Sequence, residues 1–168
     1  MSPLQALNLA YKLLPAKMNT VAATVPLLAI QLQEDPLRLQ KQTGGPARGI
    51  WQFELGGGTK EVFLNRATRQ YAEMLARHVG IEPTYQAAYK ELETQNDLLD
   101  AGLARLLMWR DPLPLPAVGD IEGAWQLYLR AWAPGAYTRG NAAKRSALRH
   151  KFGVNYLTAL DRYERGVA

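Results

Sequence analysis

The chain has 168 residues, 48% of them hydrophobic and 21% charged, with a formal net charge of +5. That length and apolar content suit one folded domain, residues 1–168, with a core of its own. Cysteine is absent and the two histidines, His78 and His150, lie far apart, which excludes disulfides, thiolate metal sites and a histidine-built zinc site as organising features; no cofactor is expected.

Taken in order, Ser2-Pro3-Leu4-Gln5 predicts a helix start, with Ser2 as cap, Pro3 in the first turn and Gln5 where a capping box needs it. Leu4, Leu7, Ala10, Tyr11 and Leu14 then share one face, and Pro15 ends the helix. No basic segment precedes an apolar core and no small-residue cleavage site follows, so no secretory signal is expected. A second helix is expected from near Thr24, because Pro26 fits a first turn, to Glu34, where Pro36 stops it by disfavouring helical geometry at Asp35. Val25, Leu28, Ala29 and Leu32 form its buried side. The mostly apolar run over 21–32 is too short to cross a bilayer.

Residues 35–49 keep no period and contain Arg38, Lys41, Arg48 and a Gly44-Gly45-Pro46 turn, which predicts an irregular loop or a short hairpin. Ile50 to Phe53 is short and apolar, and Gly56-Gly57-Gly58 is a flexible turn. Thr59 is expected to cap a helix through Ala67. A further helix runs from Thr68 to Val79, closed by Gly80, and another covers 83–93. Asn96 or Asp97 caps the next, whose stripe of Leu98, Leu99, Leu103, Leu106 and Leu107 continues to Trp109. Residues 111–116, DPLPLP, form an extended connector. Asp120 caps a helix over Ile121–Trp132 with Trp125, Tyr128, Leu129 and Trp132 on one face. Two final helices, 141–152 and 154–165, are expected on either side of Gly153. The fold class is mainly α.

Charge is unevenly placed. Residues 1–137 balance, whereas residues 138–168 hold seven basic side chains and two acidic ones, Asp161 and Glu164, and so carry the whole excess. A basic helical C-terminal segment of this kind suits an anionic partner or a solvated face. No helix-turn-helix signature or aromatic base platform accompanies it, which argues against nucleic acid.

The chemistry concentrates in Leu27 to Glu54, LLAIQLQEDPLRLQKQTGGPARGIWQFE. An apolar helix ends at one acid, Glu34, and a polar, glycine-rich loop follows. Desolvation and the negative end of the helix dipole both favour the protonated form of a carboxyl placed there, which is what a general acid near neutral pH requires. Gln52 offers a side-chain amide for hydrogen bonding, Trp51 can stack on a flat ligand face or fill the core, and Glu54 can serve as a second carboxylate or pair with Arg48.

A Glu closing a buried helix, followed after a loop by Gly49-Ile50-Trp51-Gln52, resembles the signature of the lysozyme-like superfamily, in particular goose-type lysozymes, soluble lytic transglycosylases and their phage-encoded relatives. The likeness covers about 28 residues. It implies a lysozyme-like fold with a central buried helix, and cleavage of peptidoglycan glycan strands between N-acetylmuramic acid and N-acetylglucosamine with Glu34 as general acid/base. Substrate contacts would come from Gln52, Trp51, Arg48, Tyr128 and Glu54. Tyr128, in YLRAWAPG, stands in for the tyrosine that approaches the catalytic Glu in those families. The strings GGPARGIWQFE, WRDPLPLP and WAPG resemble a bacteriophage branch, which implies virion or tail proteins as partners and action at the bacterial wall. Two departures are visible: Asp35 stands where those families carry Ser, and no A-Y-N-A-G segment occurs. They leave open an alternative, a non-catalytic phage structural or ejected protein that keeps the fold.

Overall fold

The computed structural model describes residues 1–167. Among them the chain is mainly α, with nine helices and no strand: α1 (Pro3–Tyr11), α2 (Val21–Glu34), α3 (Lys60–Leu64), α4 (Arg69–His78), α5 (Tyr85–Glu91), α6 (Asp97–Trp109), α7 (Ile121–Trp132), α8 (Gly135–Thr138) and α9 (Ala142–Glu164). Among the described residues no helix is long and apolar enough to cross a membrane.

Two helices form the centre. α2 is buried without interruption from Ala23 to Ile30 and on to Gln31, and α6 from Leu99 to Met108. Helices apolar on every side must lie inside other elements. α9 lies along α2, α1 against α6, and α7 meets α2, α6 and α9.

Local capping explains several boundaries. Ser2 and Gln5 complete the expected capping box of α1. Thr20, Asn96, Asp120 and Asn141 each accept a backbone N–H at the start of α2, α6, α7 and α9. Their side chains satisfy amides that the first turn leaves unpaired.

Several boundaries differ from the sequence expectation. α2 begins at Val21, so Pro26 lies inside it rather than in its first turn. An interior proline costs about 3 kcal/mol, here set against burial of the surrounding turns. The helix expected through Ala67 stops at Leu64, and that expected from Pro83 starts at Tyr85 behind a Thr84 cap. Gly153 does not divide the last segment: α9 is continuous. A mid-helix glycine costs about 1 kcal/mol relative to alanine, and burying Phe152, Tyr156 and Ala159 on either side of it outweighs that.

Between α2 and α3 the chain forms the expected irregular region, tied by two isolated bridges, Lys41 to Arg48 and Arg48 to Phe53. A single wide turn over Leu55–Thr59 leads into α3.

Candidate active site

Glu34 is the last residue of α2, and its neighbour Asp35 follows as the cap. The two carboxylates have different surroundings. Asp35 is buried and accepts the backbone N–H groups of Leu39 and Gln40, each at 2.9 Å. It is committed to folding the loop. Glu34 keeps part of its surface on a groove of about 480 Å³ that Gln52, Glu54, Tyr128, Trp132 and Arg139 also line.

Burial pushes the Glu34 carboxyl up to about 7, and Glu54 repels its charge further; the Tyr128 hydrogen bond and the Lys151 ammonium pull the other way. Tyr128 Oη donates to Glu34 Oε1 at 2.5 Å. Its phenol is held far above its ordinary value by burial and by Glu34, so it acts only as a donor here. The ring is fixed by stacking on Phe152 at 5.3 Å and by Trp125 at 5.5 Å. Lys151, on α9, donates to the Gln33 carbonyl at 2.9 Å and so sits at the carbonyl end of α2.

The Gly49–Phe53 segment is held from below. Asp100, fully buried on α6, accepts the Ile50 N–H at 2.5 Å. Gly49 has φ +75°, and a Cβ there would collide with the Asp100 carboxyl. Only glycine meets both demands. Burial holds Asp100 well above the usual carboxylate range.

Trp51 is wholly buried, and its indole donates to the Leu27 carbonyl of α2 at 2.8 Å. Trp132 in turn donates to the Trp51 carbonyl at 3.0 Å. Gln52 adopts φ 55°, and its amide donates to the Gly49 carbonyl at 2.8 Å. The groove wall is thus stitched to α2 and α7 through indole hydrogen bonds.

Of the residues expected at the site, Glu34, Gln52, Glu54 and Tyr128 line one groove. Trp51 and Arg48 do not. Trp51 belongs to the core, and the tryptophan that faces the groove is Trp132. Arg48 pairs with Glu93 at 2.5 Å rather than with Glu54, and also donates to the Gly45 and Ala47 carbonyls. It clamps the loop.

No family model, no curated protein and no solved structure matches the chain. The resemblance rests on the residues themselves.

Chemically, the groove offers a carboxyl that carries a proton near neutrality, with one oxygen held by a phenol. A second carboxylate, Glu54, and an aromatic side chain, Trp132, line the same groove. Arg110 and Arg130 also line it but are neutralised by Glu61 at 2.6 Å and Asp111 at 2.7 Å. Asp100, Trp132, Lys151 and Arg139 were not singled out for this site by the sequence. Asp100 left a trace: it is a lone carboxylate inside the apolar stripe of α6, a placement that needs a buried partner.

Proposed function

We propose that the chain is a peptidoglycan-cleaving glycosidase, a lytic transglycosylase or a lysozyme, acting on the β-1,4 bond between N-acetylmuramic acid and N-acetylglucosamine. One observation carries the proposal: the Glu34 carboxyl, pushed up to about 7 by burial, opens onto a groove and is held by Tyr128. Glycosidic cleavage needs an acid of that kind to protonate the leaving oxygen.

In the first step the Glu34 proton passes to the glycosidic oxygen as the C1–O bond breaks. The leaving sugar departs as an alcohol, positive charge builds at C1, and Glu34 remains as carboxylate. Tyr128 occupies Oε1, so the proton is delivered from the other oxygen. In the transglycosylase route the same carboxylate then removes the proton of the sugar's own 6-hydroxyl, whose oxygen closes on C1. This leaves a 1,6-anhydro end and restores the acid. In the hydrolytic route water supplies that oxygen and a second carboxylate assists; Glu54 is the groove residue suited to it. We favour the single-acid route, since it needs only Glu34.

The alternative of a non-catalytic phage structural protein drew its support from Asp35 in place of Ser and from the lack of an identified second carboxylate. Asp35 is turned into the loop and leaves the Glu34 position free, which favours the enzyme. The bacteriophage-like strings support a phage-encoded wall hydrolase with virion or tail partners.

Mass analysis of fragments released from purified peptidoglycan tests the reading. Anhydro-muramyl ends from wild type, absent with Glu34→Gln, are expected. Reducing muramyl ends alone would replace the single-acid route by hydrolysis. No fragments from a folded wild type would remove the enzyme reading.

A further inference from the structure

Among the described residues three guanidinium groups line the groove, and one of them forms no ion pair. Arg110 and Arg130 are paired with Glu61 and Asp111. Arg139 makes no ion pair among the described residues. It follows α8, and its guanidinium lies over Gly135, where any Cβ would collide with it. Gly135 and Arg139 both line the groove, together with Glu34.

The surroundings reinforce that charge. No acidic residue occurs between Glu122 and Asp161. Within that stretch Lys144 and Arg145 are exposed and form no ion pair, and Arg145 donates to the Tyr137 carbonyl at 3.1 Å. The α9 N-terminus follows immediately at Ala142 and adds the positive end of a long helix dipole. An exposed guanidinium on the groove, without an ion pair among the described residues and followed in the chain by Lys144, Arg145 and the start of α9, can receive a carboxylate. No ion pair joins it to Glu34 among the described residues.

We infer that Arg139 is the carboxylate-binding end of the groove, reading an acidic group borne by the muramyl residues of the strand; this rests on the peptidoglycan reading above. The carboxylate can come from the lactyl ether or from the stem peptide. Arg139 is then a specificity residue: it selects acidic wall glycan over a neutral glycan of the same backbone linkage. It takes no part in proton transfer.

Binding measured in the inactive Glu34→Gln background separates the possibilities. Three ligands are compared: peptide-bearing glycan strands, strands stripped of peptide by an amidase and so carrying free lactyl carboxylates, and neutral chitohexaose. Adding Arg139→Gln is expected to weaken binding of carboxylate-bearing strands about ten-fold, as loss of one charge-assisted contact does, and to leave chitohexaose unchanged. Arg139→Lys should fall between, since it keeps charge and loses the planar fork. Loss confined to peptide-bearing strands assigns the stem peptide, and loss confined to stripped strands assigns the lactyl group. Equal loss on all three ligands, or loss on none, overturns the inference while leaving the glycosidase reading in place. Failure of the Glu34→Gln protein to bind any of the three overturns both. Melting curves of the Arg139 variants should overlay that of their parent.

Discussion

Two carboxyl groups of this molecule are raised by burial, and they are used in opposite ways. Glu34 at the end of α2 and Asp100 within α6 are both raised by desolvation. Asp100 is sealed beneath the Gly49–Phe53 segment, where it receives the Ile50 amide and meets no solvent. Glu34 receives a phenol on one oxygen and keeps surface on the groove. Burial alone makes a carboxyl hold its proton; access to a ligand decides whether that proton is useful. Asp100 fixes the wall that Glu34 works against.

That contrast can be broken at each end. The largest effect is expected from Glu34→Gln, which keeps shape and the Tyr128 contact but has no proton to give. Wall solubilisation should fall by about a thousand-fold, within the range of a lost general acid. A fall of less than ten-fold would place the acid elsewhere. Wild-type activity should also decline as pH rises through about 7, as Glu34 loses its proton.

The same substitution has a stability signature. The folded Glu34 carboxyl lies near 7 against an ordinary value of 4.5, so between those values the native state binds more protons than the unfolded one. Stability therefore falls as pH rises from 4.5 to 7, and the penalty is fully present above 7. Glu34→Gln removes it. The variant should be more stable than wild type by about 3 kcal/mol at pH 8, with the gain vanishing near pH 4. Denaturant unfolding at both pH values checks this; equal gains at the two would refute the linkage.

At the other region, Gly49→Ala should destabilise by about 2 kcal/mol, from a positive φ and a clash with the Asp100 carboxyl. Glycine substitution at Gly44, which has open space around it, provides the comparison, since it carries the φ penalty without the clash. The smallest effect belongs to Tyr128→Phe. Losing the phenol should lower turnover by roughly ten-fold and move the alkaline limb upward, because that hydrogen bond pulls the Glu34 carboxyl down. An unmoved limb would mean Tyr128 only fills space.

Much of this was legible in the chain. Ser2, Asn96, Asp120 and Asn141 announced helix starts, because a cap acts within three residues of itself. The end of α2 at Glu34 was legible because Pro36 disfavours helical geometry at Asp35. Pro26 and Gly153 misled for one reason: both act on local propensity, and α2 and α9 are helices because of what they bury against each other. Trp51 and Trp132 could not be ranked from sequence, since both are tryptophans in apolar runs and only the tertiary arrangement puts one inside and the other on the groove. Asp100 meets Gly49 and Ile50 across half a hundred residues, and the charge on Arg139 acquires meaning only when Arg110 and Arg130 find their partners.

The most direct measurement is a ¹³C NMR titration of the Glu34 carboxyl in the folded protein, assigned by its loss in Glu34→Gln. A midpoint near 7 is expected, shifting on addition of glycan fragments to the groove. A midpoint near the ordinary value of 4.5, unmoved by any glycan, would leave Glu34 ionised at working pH and contradict its role as the acid.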